Sequence, residues 1–383
     1  MGVVLGVDQI EEFADELCGR NIGLITNYSG VTSDWKENIE VLFEMNCPVK
    51  KIFTPEHGLY GCPDGETVKD DVYGKYNIPI ISLFGEKKKP SLEDLEGLDL
   101  LIYDIQDVGL RYYTFIYTLE YCLEAAAEAG ITFIVLDRPD PLGAGRVSGG
   151  IIEKKYESFV GGFGLPLRYG MTAGELGYYF IKYSNLNLDY RVIEMKNYSR
   201  DSLFDESKML WNVPSPALPC FSSVICYEGG CFFESTNISE GRGTARPFQM
   251  YGAPFIDSDL LYEKLHNVVI DYNFAVRKRA FIPQTSKYAG ELCYGVEFAP
   301  LSGKSEFLPV ALILLKLVKD YYPEDFKMLK GESNKLRINE LSGSEDVARY
   351  LNNETEFDAI RAKWDNECIE FCSNNKDILL YTS

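Results

Sequence analysis

Short runs of β-branched and apolar residues alternate with longer segments of helical spacing through the first 140 residues. Ile22-Gly-Leu-Ile-Thr-Asn27, Lys51-Ile-Phe-Thr54, Ile78-Pro-Ile-Ile-Ser-Leu83, Leu100-Leu-Ile-Tyr103 and Thr132-Phe-Ile-Val-Leu136 read as strands. A helix is predicted from Asp34 to Met45. A second is predicted from Tyr113 to Ala129, where Ile116, Leu119, Leu123 and Ala126 recur at three- and four-residue intervals and Gly130 supplies the stop. This alternation predicts an α/β fold with a Rossmann-like, mostly parallel, doubly wound sheet. All parallel strands then end on one edge, where ligands bind. That edge is expected to gather Thr26 and Asn27, Glu56 and His57, Asp104, Gln106 and Asp107, and Asp137 and Arg138.

After Pro139-Asp140-Pro141 the chain becomes rich in Gly, Pro and aromatic residues as far as Gly252, punctuating short strands such as Gly230-Cys-Phe-Phe-Glu234. From Asp257 onward helical and strand patterns mix again, with helices expected over Leu308 to Tyr321 and Glu345 to Tyr350. We therefore divide the chain into a Rossmann-like catalytic domain, residues 1–145, and a second α/β unit, 146–383, that completes a cleft. No internal repeat is visible. The apolar run Leu308 to Leu315 is broken by Lys316, far short of the roughly 18 residues a bilayer span requires, so no membrane span is expected. Met1 to Val7 is apolar, but no basic residue precedes it and Asp8, Glu11 and Glu12 follow. The expected compartment is the cytoplasm, or the cell envelope where a leader has been removed.

Charge narrows the partners. With 38 Lys+Arg against 58 Asp+Glu, a net charge of −20 disfavours nucleic acid and anionic membrane surfaces. Ten cysteines without a C-x-x-C pair are too sparse for a disulfide scaffold and read mostly as small core residues in a reducing compartment. The two histidines, His57 and His266, exclude a multi-histidine metal centre, though not a carboxylate site for a hard cation, and no metal is assigned. The sequence carries no signal for oligomeric state.

Three segments concentrate chemistry. Thr54-Pro-Glu-His-Gly58 places an acid and an imidazole directly after a strand, which suits a general acid but equally a capped turn. Asp104, Gln106, Asp107, Arg111, Tyr113 and Thr114 crowd the segment after Leu100 to Tyr103, suiting a ligand with several hydroxyl or amide groups; an Asp107–Arg111 pair at a helix start is the plainer alternative. Glu234-Ser-Thr-Asn-Ile-Ser-Glu-Gly-Arg-Gly-Thr244 reads as a binding loop, its Gly241 and Gly243 allowing positive φ or close backbone approach. Gly143-Ala-Gly145-Arg-Val-Ser148 fails the dinucleotide fingerprint, and no Walker loop, G-x-S-x-G elbow or H-E-x-x-H occurs, so no cofactor is expected. Carboxylates, amides, arginines and tyrosines remain, the vocabulary of carbohydrate chemistry.

At these segments the chain resembles the exo-β-N-acetylmuramidase family, NamZ-like glycoside hydrolases long known as a domain of unknown function. The matching pieces are Gly23-Leu-Ile-Thr-Asn27, Pro55-Glu-His-Gly58, Asp104-Ile-Gln-Asp-Val-Gly109 with Arg111 and Tyr113-Thr114, and Leu136-Asp-Arg-Pro139. Gly170-Met-Thr172, Gly174-Glu-Leu176, Pro214-Ser-Pro216, Thr236-Asn-Ile-Ser-Glu-Gly-Arg-Gly-Thr244 and Arg246-Pro-Phe248 continue them in family order. The resemblance implies a cleft between the two domains, no nucleotide, and release of N-acetylmuramic acid (MurNAc) from the non-reducing end of peptidoglycan-derived saccharides such as MurNAc-GlcNAc. By similarity Glu56 leads as catalytic acid. His57, Asp104, Asp107 and Glu240 accompany it, with Asp104, Asp107 or the substrate's own acetamido group assisting at the opposite face, and Glu240 as either partner or sugar ligand. Asn27, Gln106, Arg111, Tyr113, Thr114, Asp137, Arg138, Asn237, Ser239 and Arg242 are the expected substrate contacts. Arg242, with Arg138 or Arg111, is a candidate for the lactyl carboxylate, since guanidinium matches carboxylate bidentately. The chain departs from the family pattern at Tyr28, Tyr169, Ala217 and Ser235. A non-catalytic peptidoglycan-binding protein and a nucleotide-dependent enzyme are the competing classes; several converging acids favour hydrolysis.

Overall fold

Buried β-branched runs form strands where the hydrophobic pattern places them. The structure, a computed structural model, describes residues 2–62, 69–207, 209–331 and 334–382. The strands are β1 (Ile22–Thr26), β2 (Val49–Thr54), β3 (Asp71–Tyr73), β4 (Ile78–Ser82), β5 (Leu100–Asp104) and β6 (Thr132–Leu136). An antiparallel pair follows, β7 (Ser148–Ile151) and β8 (Pro166–Arg168), and then β9 (Tyr190–Ile193). The main sheet has the order β3-β4-β2-β1-β5-β6-β9, parallel except for β3. All five positions of β1, β5 and β6 are buried, as expected of central parallel strands covered on both faces. The sheet draws β9 from well past the boundary set at residue 145.

A second, antiparallel sheet has the order β10-β12-β11, from β10 (Met250–Ala253), β11 (Phe274–Phe281) and β12 (Cys293–Pro300). The helix Phe307–Tyr321 packs against the helix Phe221–Gly230, and a Cβ on Gly229 would stand 2.7 Å from Ala311 Cβ, so glycine permits this close approach. Among the described residues no helix is long and apolar enough to cross a membrane.

Two local expectations are corrected. The helix expected from Asp34 runs only from Asn38 to Glu44. Residues 32–36 turn back on themselves with Trp35 at φ 68°, freeing Asn38 to bond across to Asp104. Residues 230–234 are not a strand: Cys231–Ser235 is a 3-10 turn continuing the preceding helix. Phe232 and Phe233 are buried on all sides, and a short continuous apolar run does not distinguish the two forms. Cys18 and Cys47 are disulfide-bonded, whereas Cys122, Cys226, Cys231, Cys293 and Cys368 are buried thiols.

Two long-range devices hold the halves together. Arg111 is fully buried, and its guanidinium donates to the carbonyls of Gly150 and Leu165 (2.7 Å each), Ser342 (2.7 Å) and Leu341 (3.3 Å). Residues 380–382 return to the first sheet. There Tyr381 donates its hydroxyl to Asp137 at 2.7 Å and the Leu380 amide donates to Glu175 at 2.8 Å.

Replacing Arg111 by Met should destabilise the protein by at least about 3 kcal/mol, because several buried carbonyls lose a charged donor that methionine cannot replace. Urea unfolding reads this directly; a loss below about 1 kcal/mol would show that the clamp is dispensable.

Candidate active site

β2 ends at Thr54, and the chain turns sharply through Pro55, Glu56, His57 and Gly58. His57 and Gly58 both have positive φ, 68° and 65°, a conformation glycine adopts freely and histidine adopts at a cost of about 1 kcal/mol or more. The turn is held by Gly58 N–H to the Pro55 carbonyl (3.0 Å) and Cys62 N–H to the His57 carbonyl (2.7 Å). His57 Nδ1 lies 2.9 Å from the Cys62 carbonyl. A carbonyl only accepts, so Nδ1 carries the hydrogen of this contact. Glu56 accepts a 2.6 Å hydrogen bond at Oε2 from the Thr114 hydroxyl. Thr114 stands at the start of the helix Phe115–Ala129.

Glu56 stands where two lobes of one cleft meet. The first, about 460 Å³, is lined from the sheet domain by Glu56, His57, Tyr112, Tyr113 and Thr114, from the connecting segment by Ser215 and Ala217, and from the second unit by Glu240, Phe248, Thr285 and Lys287. The second, about 540 Å³, is lined by Phe84, Lys88, Phe159, Arg337 and Glu340. Glu56, Tyr112, Thr114, Tyr227, Glu234 and Arg242 line both.

The loop of residues 234–248 supplies the opposite wall. Gly243 has φ 75°, and a Cβ there would stand 2.4 Å from the Thr285 amide, so glycine lets the loop press against residues 284–285 and brings Thr285 to the cleft. Its charges interlock: Arg242 donates to Glu234 at 2.8 Å and lies 3.5 Å from Glu240, while Lys287 pairs with Glu240 at 2.8 Å. Arg242 also stands 5.0 Å over the Phe248 ring.

Several expected site residues lie outside this cleft. Asp104, fully buried, receives both oxygens' hydrogen bonds from Arg138 (2.6 and 3.0 Å), and Asn38 adds a third at 2.7 Å. Neither Asp104 nor Arg138 lines either lobe. Asp107 accepts from Tyr169 and from Gly109 N–H, and its burial raises its pKa. Asn27 accepts from the amide and hydroxyl of Ser29, and Gln106 donates to the Asp107 and Pro139 carbonyls. Asp137 accepts from Tyr381, Thr172 and the Gly174 amide. Arg111 is spent on carbonyls, so the lactyl carboxylate role suggested for Arg111 or Arg138 is not available to either. Asn237 ties its loop to residues 325 and 327, and Ser239 accepts from Gly241 N–H. Of the expected residues, Glu56, His57, Tyr113, Thr114, Glu240 and Arg242 line the cleft.

The residues that sequence reasoning passed over are Glu234, Lys287, Tyr112, Tyr227, Ser215 and Lys88. Glu234 opens the loop already singled out, and Ser215 sits in Pro214-Ser-Pro216; the others carry no local signal.

Comparison with known proteins identifies the family. Two family models match in sequence: exo-β-N-acetylmuramidase NamZ, N-terminal, over residues 22–222, and exo-β-N-acetylmuramidase NamZ, C-terminal, over 225–381. The chain is 38% identical over 384 aligned residues to the peptidoglycan β-N-acetylmuramidase NamZ of Bacillus subtilis (strain 168), covering 99% of this chain and 91% of the relative. Two crystal structures of DUF1343 family proteins from Bacteroides fragilis NCTC 9343 superpose on it. One has TM-score 0.89 at 28% identity with 99% of each chain covered, the other TM-score 0.78 at 30% identity with both chains fully covered.

Behind the cleft, burial raises the Asp140 carboxyl to a pKa of about 7, partly opposed by Arg168 and reinforced by Asp107. Between about pH 4 and 7 the unfolded chain has released this proton while the folded chain keeps it, so stability falls as pH rises through that window. Asp140→Asn should therefore gain on the parent by about 1–3 kcal/mol between pH 4 and pH 8. Parallel stability curves for the two proteins across that range would refute this.

Proposed function

The chain belongs to the exo-β-N-acetylmuramidase NamZ family, and we propose that it is an exo-acting peptidoglycan β-N-acetylmuramidase that releases MurNAc from the non-reducing end of fragments such as MurNAc-GlcNAc. The observation that carries this reading is the position of Glu56 at the junction of two lobes: one lobe for each sugar, with an acid at the bond between them.

Thr114 donates to Oε2 of Glu56, which leaves Oε1 to deliver a proton to the departing glycosidic oxygen. Positive charge then grows on the anomeric carbon and ring oxygen of the MurNAc unit. Glu234 and Glu240, held in place by Arg242 and Lys287, provide negative charge across the cleft from the sheet domain. With Asp104 and Asp107 committed behind the cleft, assistance at the opposite face falls to Glu234, Glu240 or the substrate's acetamido group. His57 lines the first lobe beside Glu56, where its ring meets the sugar hydroxyls or a water.

Glu56→Gln should fold with an unchanged melting temperature and lose about 10²- to 10⁴-fold in kcat on MurNAc-GlcNAc, with a smaller loss on an activated aryl β-MurNAc glycoside whose leaving group needs no proton. Near-parental turnover on the disaccharide would remove Glu56 from the acid role. Failure of the parent enzyme to release MurNAc from either substrate would favour a saccharide-binding function instead.

A further inference from the structure

The loop after β4 carries three consecutive lysines, and they are not equivalent. Lys87 is paired with Asp94 at 3.0 Å, and Lys89 with Glu124 and Glu128 at 3.1 and 2.7 Å. Lys88 makes no ion pair among the described residues. Its ammonium instead stands 4.2 Å from the centroid of the Phe159 ring, within the second lobe of the cleft. That ring is itself fixed, stacked on Tyr121 at 6.3 Å and flanked by Phe84 at 6.3 Å. A cation over an aromatic face is held in position, yet among the described residues none of its three N–H donors is spent on an acceptor.

Charge bookkeeping within the lobe singles out the same residue. Arg242 is answered by Glu234 at 2.8 Å, and Arg337 by Glu340 at 3.2 Å. Lys88 and Glu56 are left; Glu56 is engaged by the Thr114 hydroxyl, and Lys88 is the one cation of this lobe without a carboxylate at ion-pair distance among the described residues. In the first lobe both cations, Arg242 and Lys287, already face Glu240. A substrate with one anionic and one neutral sugar fits such an asymmetry in a single orientation. MurNAc carries the lactyl carboxylate; GlcNAc carries none.

We propose that Lys88 binds the lactyl carboxylate of MurNAc, so that the lobe walled by Phe84 and Phe159 receives the sugar that is released and the lobe walled by Lys287 and Phe248 receives the aglycone. This assignment rests on the muramidase reading above and deepens it by naming the residue that tells MurNAc from GlcNAc. Because Lys88 is exposed on a loop and bears no ion pair among the described residues, its replacement leaves the fold intact.

The test compares two chromogenic β-MurNAc glycosides, one with the free lactyl carboxylate and one with that carboxylate converted to its primary amide, on the parent enzyme, Lys88→Gln and Lys88→Arg. A charge-assisted hydrogen bond should give the parent a preference of about tenfold or more in kcat/KM for the carboxylate substrate. Lys88→Gln should abolish most of that preference through KM with kcat nearly constant, and Lys88→Arg should keep it. An unchanged preference in Lys88→Gln, an equal loss on both substrates, or a parent that does not discriminate between them would each overturn the assignment while leaving the muramidase reading in place. A parent that hydrolyses neither substrate would overturn both.

Discussion

The cleft exists because one buried guanidinium holds two distant parts of the chain at a fixed separation. Arg111 donates to carbonyls at residues 150 and 165 and at residues 341 and 342, and it lies three residues before Thr114, whose hydroxyl bonds Glu56. Desolvating an arginine is costly, and the cost is tolerated only where nearly every donor finds an acceptor. Burial lowers the Arg111 pKa to about 10, so the group remains charged at neutral pH and the clamp remains closed. Because the acceptors are backbone carbonyls, the clamp fixes main-chain positions, and the walls bearing Thr114 and Leu341 inherit that precision.

A second consequence follows from the strand ends nearest the middle of the sheet. In a doubly wound sheet the crevice beside the first strand is the ordinary ligand site. Here the ends of β1 and β5 are tied to each other: Asn38 bridges Thr26 and Asp104 at 2.8 and 2.7 Å, and Arg138 closes over Asp104. A Cβ on Gly30 would lie 2.2 Å from Thr26 Oγ1, which shows how tightly the corner is filled. Binding is displaced outward to the end of β2, where the second unit supplies the facing wall.

This displacement explains what the sequence could and could not reveal. The strands were legible because central parallel strands must be apolar throughout, and the helix Phe115–Ala129 because its spacing and its glycine stop agree. Glu56 was legible because it follows a strand, between a proline and a glycine that shape a tight turn. Asp104, Arg138, Asp137 and Arg111 read as ligands for the same reason, polar residues beside a strand end, yet each is consumed by internal hydrogen bonds. A sequence does not state which strand ends face a partner domain, and a satisfied buried network has the same composition as a binding site. Lys88 is the reverse case: nothing local in the sequence marks it, and only the neighbours' ion pairs set it apart from Lys87 and Lys89.

The return of the last described residues to the first sheet also dictates when the molecule becomes itself. Asp137 closes β6, yet its carboxylate is completed by Tyr381, 244 positions further along, just as Arg111 waits 231 positions for Ser342. Contacts of such separation form late, since loop closure must be achieved before they return any stabilisation. Until they form, the sheet domain carries a buried acid short of one donor and an arginine short of two carbonyls. The two halves therefore mature together, and the cleft and the cooperativity of the fold arise in one event.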